Sequence, residues 1–251
     1  MNILRQPAPK MSPAAATMAL SLAALGALSL GSGDFAFQWQ PVPPEVPARA
    51  TLAMAIGALE VLAGALFFVA RLRAAGAWLA AALLVGWTAL HVPAVVQRPA
   101  SVGDWLGIAE TTAMASAALM LAAGISGGDP VRAIRRGGMW AFGLSAIIFG
   151  ASHFTYAEFT ASMIPAWLPQ RLGLAYFTGA AHALAGLAIA SDLQRRLAAM
   201  LETVMMAGFV VLVHLPRVAA QPGSRMEWTM LFVAVLLSGS AGLVARIARE
   251  R

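Results

Sequence analysis

Cysteine is missing from this sequence altogether. That excludes structural disulfides, thiolate metal ligands and any thiol chemistry performed by the chain itself. Charge is the next scarcity, at 11% of residues against about 25% in soluble domains. Several chemical signatures are lacking too. There is no glycine loop followed by lysine to cradle phosphate. ATP-driven transport by this chain alone is therefore unsupported. The metal-binding spacings His-x-x-x-His, Glu-x-x-His and His-Glu-x-x-His do not occur either. A net charge of +6 could point to nucleic acid, but the arginines are scattered in ones, twos and threes and form no basic patch, so no nucleic-acid partner is expected.

What is present is hydrophobicity, at 60% of 251 residues. Read between breaks, it divides into apolar segments near 14–32, 50–70, 74–95, 104–124, 138–156, 172–190, 197–216 and 228–245. Each is close to the roughly 20 residues that cross a bilayer as a helix. The breaks carry turn chemistry, as in Gln40-Pro41-Val42-Pro43-Pro44 and Gly127-Gly128-Asp129-Pro130. The expected fold class is all-α: a polytopic membrane protein of eight transmembrane helices arranged as two pseudo-symmetric four-helix bundles, with the lipid bilayer as partner. Arg5 and Lys10 before the first apolar run also fit a cleaved signal peptide. No convincing small-x-small site follows, and the repeat described next needs this segment.

Basic residues give the orientation. The N-terminus, the C-terminus and the loops after spans two, four and six hold twelve Lys and Arg; the alternate loops hold five, namely Arg49, Arg98, Arg171, Arg217 and Arg225. With short loops, this bias places both termini in the cytoplasm.

A shift of about 119 to 123 positions brings the halves into register. Gly31 and Phe35 fall on Gly150 and Phe154. Pro43, Pro47 and Arg49 fall on Pro165, Pro169 and Arg171. Gly57, Glu60 and Gly64 fall on Gly179, His182 and Gly186. His91-Val92-Pro93 falls on His214-Leu215-Pro216, and Asp104-Trp105 on Glu227-Trp228. The expected organisation is a first four-helix repeat over 1–124, a cytoplasmic linker over 125–137 and a second repeat over 138–251. Even-numbered repeats enter the membrane in the same sense, which implies a pseudo-two-fold near its normal.

The pattern Gly57-x-x-Glu60-x-x-x-Gly64, followed by an arginine-bearing turn and an Ala-rich helix, resembles the DoxX-like membrane proteins. So does the second half, with His153-Phe154, the run Ile164-Pro165-Ala166-Trp167-Leu168-Pro169, and Gly179 to Gly186. The resemblance implies a four-helix unit per half in a bacterial cytoplasmic membrane. It also implies a membrane-embedded role in redox-linked or envelope-stress systems, with a partner protein supplying thiol chemistry. The chain departs from a plain member in being doubled and in placing His182 where the first half has Glu60.

Ionisable groups cost about 2.5–3.5 kcal/mol or more inside a bilayer, so each needs a reason. Glu60, His91, Glu110, His153, His182 and His214 are the candidate ligand-binding or proton-relay residues. Ala53, Gly57, Glu60 and Gly64 form one helical stripe, and Ala175, Gly179, His182 and Gly186 repeat it. Gly143, Ala146, Gly150 and His153, and Glu110 with Ala113 and Ala117, make comparable stripes. Small-residue stripes mark close helix contacts, so these polar groups are expected to point into the bundle. Two readings stay open. In one, Asp34, Glu60, His91 and Glu110 form one polar site near the outer face and His153, His182 and His214 a second. Such sites can hold a small hydrophobic ligand such as a quinone, relay protons or, less readily, ligate haem or a metal. In the other, the same groups only hydrogen-bond helices together. Glu202 reads as structural or cytoplasm-facing. Trp39, Trp105, Trp167 and Trp228 read as an interfacial aromatic belt. The function expected first is quinone-like ligand binding. The alternatives are a small-solute or proton-coupled transporter and a ligand-free assembly protein.

Overall fold

A computed structural model describes residues 11–249. Arg5, Lys10 and Arg251, part of the basis for the expected orientation, lie outside them. The described residues form helices joined by short connections: α1 (Pro13–Ser32), α2 (Arg49–Phe68), α3 (Arg73–Gln97), α4 (Val102–Ser126), α5 (Val131–Thr155), α6 (Ala157–Met163) and α7 (Arg171–Ser191). α8 (Arg195–Phe209) continues through a π-helical turn, Val210–His214, into α9 (Leu215–Ala220), and α10 (Arg225–Ile247) closes the chain. A 3-10 turn, Phe37–Trp39, lies between α1 and α2. Seven helices are long and apolar enough to cross a membrane, counting Arg195–Ala220 as one. The protein is a multi-pass membrane protein. α5 has the length, at 25 residues, but is not among the seven. Its first turns carry Arg132, Arg135 and Arg136, which were expected in a linker. The connection between α4 and α5 is only residues 127–130.

Local chemistry explains the helix ends. Ser12 caps α1, accepting from the Ala15 amide, and Pro13 opens the helix where no N–H is needed. Ser101 and Ser224 cap α4 and α10, each three residues before an acid, Asp104 and Glu227. The acids favour the positive end of the helix dipole. Arg73 donates back to the Phe67 carbonyl at 2.9 Å, and Arg195 to the Ile189 carbonyl at 2.8 Å. Each tight turn thus satisfies a carbonyl that the preceding helix leaves open.

The helices pack as a closed series of neighbours. α1 lies on α2, α2 on α3 and α3 on α4; α5 lies on α7, α7 on α8 and α8 on α10. The series is joined across the middle of the chain, with α4 along α5, α10 along α1, and α4 touching α10. One continuous core results, containing Met18, Leu84 and Met114 together with Phe142, Ile189 and Leu236.

Glycine sets the closest approaches. A Cβ on Gly26 would stand 2.3 Å from the Gly57 carbonyl oxygen, and one on Gly150 would stand 2.6 Å from that of Gly179. Backbones this close admit no side chain at either position. The comparison corrects the register read from sequence. Gly31, aligned with Gly150, faces open space, and Gly26 makes the contact that Gly150 makes.

α3 runs for 25 residues as unbroken α-helix in spite of Pro93. Its expected counterpart, Arg195–Ala220, has 26. The extra residue is taken up by the π turn at Val210–His214, because i→i+5 bonding admits one more residue per turn. The turn redirects Val213 and His214, and it ends where Pro216 begins the last two turns.

Gly26→Val or Gly150→Val should force these helix pairs apart and destabilise the protein by about 1–3 kcal/mol through overpacking. Gly31→Val should be close to neutral. Thermal unfolding in detergent, followed by tryptophan fluorescence, distinguishes the two outcomes.

Candidate functional site

Three helices bring histidine to one place. His153 stands near the end of α5, His182 in the middle of α7 and His214 in the π turn, and all three line a cavity of about 320 Å³. Ligand pockets commonly occupy about 300–1,000 Å³. Glu110 of α4 and Trp39 of the 3-10 turn complete one wall. Aromatic rings surround the histidines. His153 and His182 meet edge-on with centroids 5.1 Å apart, and Phe209 lies 6.1 Å and 5.8 Å from them. Phe149 meets His182 at 5.6 Å. The far wall is α6, whose Phe159 lines the cavity while remaining 66% exposed on the surface.

Hydrogen bonds hold His182, His153 and Glu110 in place. His182 Nδ1 is 2.7 Å from Glu202 Oε1, and both residues are buried. His153 Nδ1 lies 2.9 Å from Thr178 Oγ1 and 3.3 Å from the Ala175 carbonyl. The Trp39 indole N–H donates to Glu110 Oε2 at 2.6 Å. Among the described residues, no group of three or more His, Cys, Asp or Glu is arranged to hold a metal ion.

Four of the six expected site residues, Glu110, His153, His182 and His214, therefore share one cavity. Glu60 and His91 do not line it. Glu60 is fully buried and accepts from the Gln40 amide, Nε2 to Oε1, at 2.7 Å. Gln40 Oε1 in turn accepts from the Ala36 amide at 2.8 Å. His91 is buried with its ring against α4, where a Cβ on Gly107 would come within 2.6 Å of it. The interior beside Glu60 is thus filled by the connection between α1 and α2.

Asp34 faces away from the interior. It ion-pairs with Arg49 at 2.8 Å and lies 3.8 Å from Arg225, which also donates to the Phe35 carbonyl and covers the Phe37 ring. Arg49 also donates to the Val42 carbonyl. Arg49 begins α2 and Arg225 begins α10, so Asp34 fixes the connection carrying Trp39 and Gln40 at both sides. Partial burial pushes the Asp34 carboxyl up, but the Phe35 N–H and the two arginines outweigh it and hold the group below its ordinary range.

Three residues acquire roles that the sequence did not suggest. Glu202 is the partner of His182. Its only advance signal is the stripe Ala198, Glu202, Met206 on one buried face of α8. Trp39, expected in an interfacial belt, is instead buried at 4% exposure. Gln40, expected in a turn, is buried against Glu60. Nothing in a Gln-Trp-Gln run tells which of its side chains will fold inward.

A family described as a domain of unknown function (DUF8561) matches residues 142–245. That stretch runs from within α5 to near the end of α10 and includes the three cavity histidines and Glu202, but not Trp39 or Glu110. No curated protein and no solved structure matches the chain.

A double-mutant cycle on Glu202→Leu and His182→Leu should show non-additive destabilisation on the order of 0.5–3 kcal/mol, since each single change strands a buried polar partner. Additive losses would mean that the two side chains do not support each other. Asp34 is the acid-sensitive contact. Its stabilising contribution should be present above the unfolded-state pKa, near the ordinary 3.8, and be lost as pH falls through the lower folded value. Asp34→Asn should remove that part of the acid-side decline in melting temperature.

Proposed function

We propose that the chain is an eight-span membrane protein built from two DoxX-like four-helix repeats, with α5 as the eighth span. Its second half, on this reading, binds a small hydrophobic ligand of the quinone–quinol type. The observation that carries the ligand reading is the convergence of His153, His182, His214 and Glu110 on one aromatic-walled cavity. Such walls accept a flat ring, while a few polar groups fix its orientation.

The duplication draws support from matching local devices. Ala48 and Gln170, both left-handed with φ of 54° and 55°, precede α2 and α7. Trp105 and Trp228 each donate to a proline carbonyl six residues earlier. The neighbour order of the first four long helices recurs in the last four. In a four-up, four-down arrangement the arginines at the starts of α3, α5 and α8 and at the end of α10 share one end of the bundle. The cavity lies toward the opposite end, where α5 finishes and α7 begins. A bacterial inner membrane with both termini cytoplasmic places the cavity near the outer leaflet. A partner protein would then supply the thiol chemistry that a chain without cysteine lacks.

Transport along Glu60 is the less favoured reading, because Gln40 occupies the interior beside that carboxyl.

The test is thermal unfolding of the detergent-solubilised protein with decyl-ubiquinone or its chemically reduced quinol. At ligand about 100-fold above Kd, one form or both should stabilise the protein by about 2.7 kcal/mol. Ala234→Phe, which fills the cavity without removing a polar group, should abolish the effect. Absence of stabilisation by either form would overturn the ligand-binding reading.

A further inference from the structure

The hydrogen bonds around the cavity specify more than its size. Ser152 donates to the Phe149 carbonyl at 2.7 Å, and Thr178 to the Leu174 carbonyl at 2.9 Å. The Trp39 N–H is taken by Glu110. Three donors on the cavity wall are thus already used within the protein.

The histidines follow the same logic. His153 Nδ1 faces a carbonyl oxygen and a hydroxyl whose own hydrogen is directed to Leu174. The Ala175 carbonyl can only accept, so the proton of a neutral ring resides on Nδ1. His182 Nδ1 faces Glu202 Oε1 at 2.7 Å, a carboxyl oxygen able to receive the same proton. With both protons on Nδ1, each ring presents a bare Nε2. Two aromatic acceptors, 5.1 Å apart between ring centroids, border the same cavity.

The first half shows what meets such a surface. There the acceptor at the position matching His182 is Glu60, and it receives the N–H of Gln40. On α4, Glu110 receives the N–H of the Trp39 ring. The chain's own occupant is an aromatic ring accompanied by donated hydrogens.

We infer that the cavity takes a flat, largely apolar ligand that donates an O–H or N–H to Nε2 of His182 or His153. This rests on the ligand-binding reading above and narrows it: within a quinone–quinol couple, the hydroxyl-bearing form is the one retained. A quinone carbonyl only accepts, and it would leave an imidazole lone pair facing another lone pair. Glu202 acts here as a positioning residue, holding the His182 ring and its tautomer.

A redox-inert pair of probes tests this: 4-heptylphenol and 4-heptylanisole, alike in size and differing in the one donated hydrogen. Their apparent affinities are read from stabilisation of the wild-type protein at equal concentrations in the detergent phase. The phenol should bind at least about tenfold more tightly, the equivalent of one good hydrogen bond. His182→Leu or His153→Leu should shrink that ratio, and Ala234→Phe should remove binding of both compounds. Equal binding of the two probes, both lost in Ala234→Phe, would overturn the donor requirement while leaving the cavity as a ligand site. Failure of both probes to bind would overturn the inference, and failure of decyl-ubiquinone and its quinol as well would take the ligand-binding reading with it.

Discussion

Hydrocarbon offers no hydrogen bonds, so every polar group that a membrane-spanning helix carries must find its partner inside the protein. The placement of Glu60, Glu110 and His182 follows from that constraint. Glu60 and His182 are buried, Glu110 lines the cavity, and each has a donor or acceptor from another residue within hydrogen-bond distance. The small residues around them serve the same end. Gly26 against Gly57, and Gly150 against Gly179, bring helix backbones close enough for side chains of moderate length to meet in the interior. Without those approaches the polar groups would be held apart and left unsatisfied.

The two halves meet the constraint differently. In the first, the connection after α1 turns inward, and Trp39 and Gln40 supply the hydrogens that Glu110 and Glu60 accept. Asp34, gripped by Arg49 and Arg225, keeps that connection in place. In the second, the connection after α5 forms α6 and lies along the outside of the cavity. His182 obtains its partner from α8, as Glu202, and the cavity lies beside it. The π turn, with its one extra residue, belongs to this difference. It carries His214 to the cavity, whereas His91, on the unbroken α3, packs against Gly107.

Much of the interior could be read from spacing alone. The recurrence of Gly57, Glu60 and Gly64 as Gly179, His182 and Gly186 indicated which helix faces approach, because a period near 3.6 fixes a face wherever the helix lies. The segment boundaries agree with the helices to within a few residues, except that α5 begins in the stretch expected to be a linker. Its arginines lowered the apparent hydrophobicity there, although arginine is compatible with a helix as soon as it leaves the bilayer. The alignment of Gly31 with Gly150 failed for a related reason. In an Ala- and Gly-rich helix several registers look alike, and only the contact with Gly57 distinguishes Gly26.

Sequence by itself determined that this protein is helical, crosses a membrane several times and turns its few ionisable groups inward, because composition and helical period are local properties. Only the tertiary structure decided which of those groups meet. His182 finds Glu202 across 20 residues and Trp39 finds Glu110 across 71. Such pairings depend on which helices become neighbours and on which way a loop folds. Both are settled by packing of the whole chain, where burying one more polar group with a partner, or leaving it without one, tips the balance.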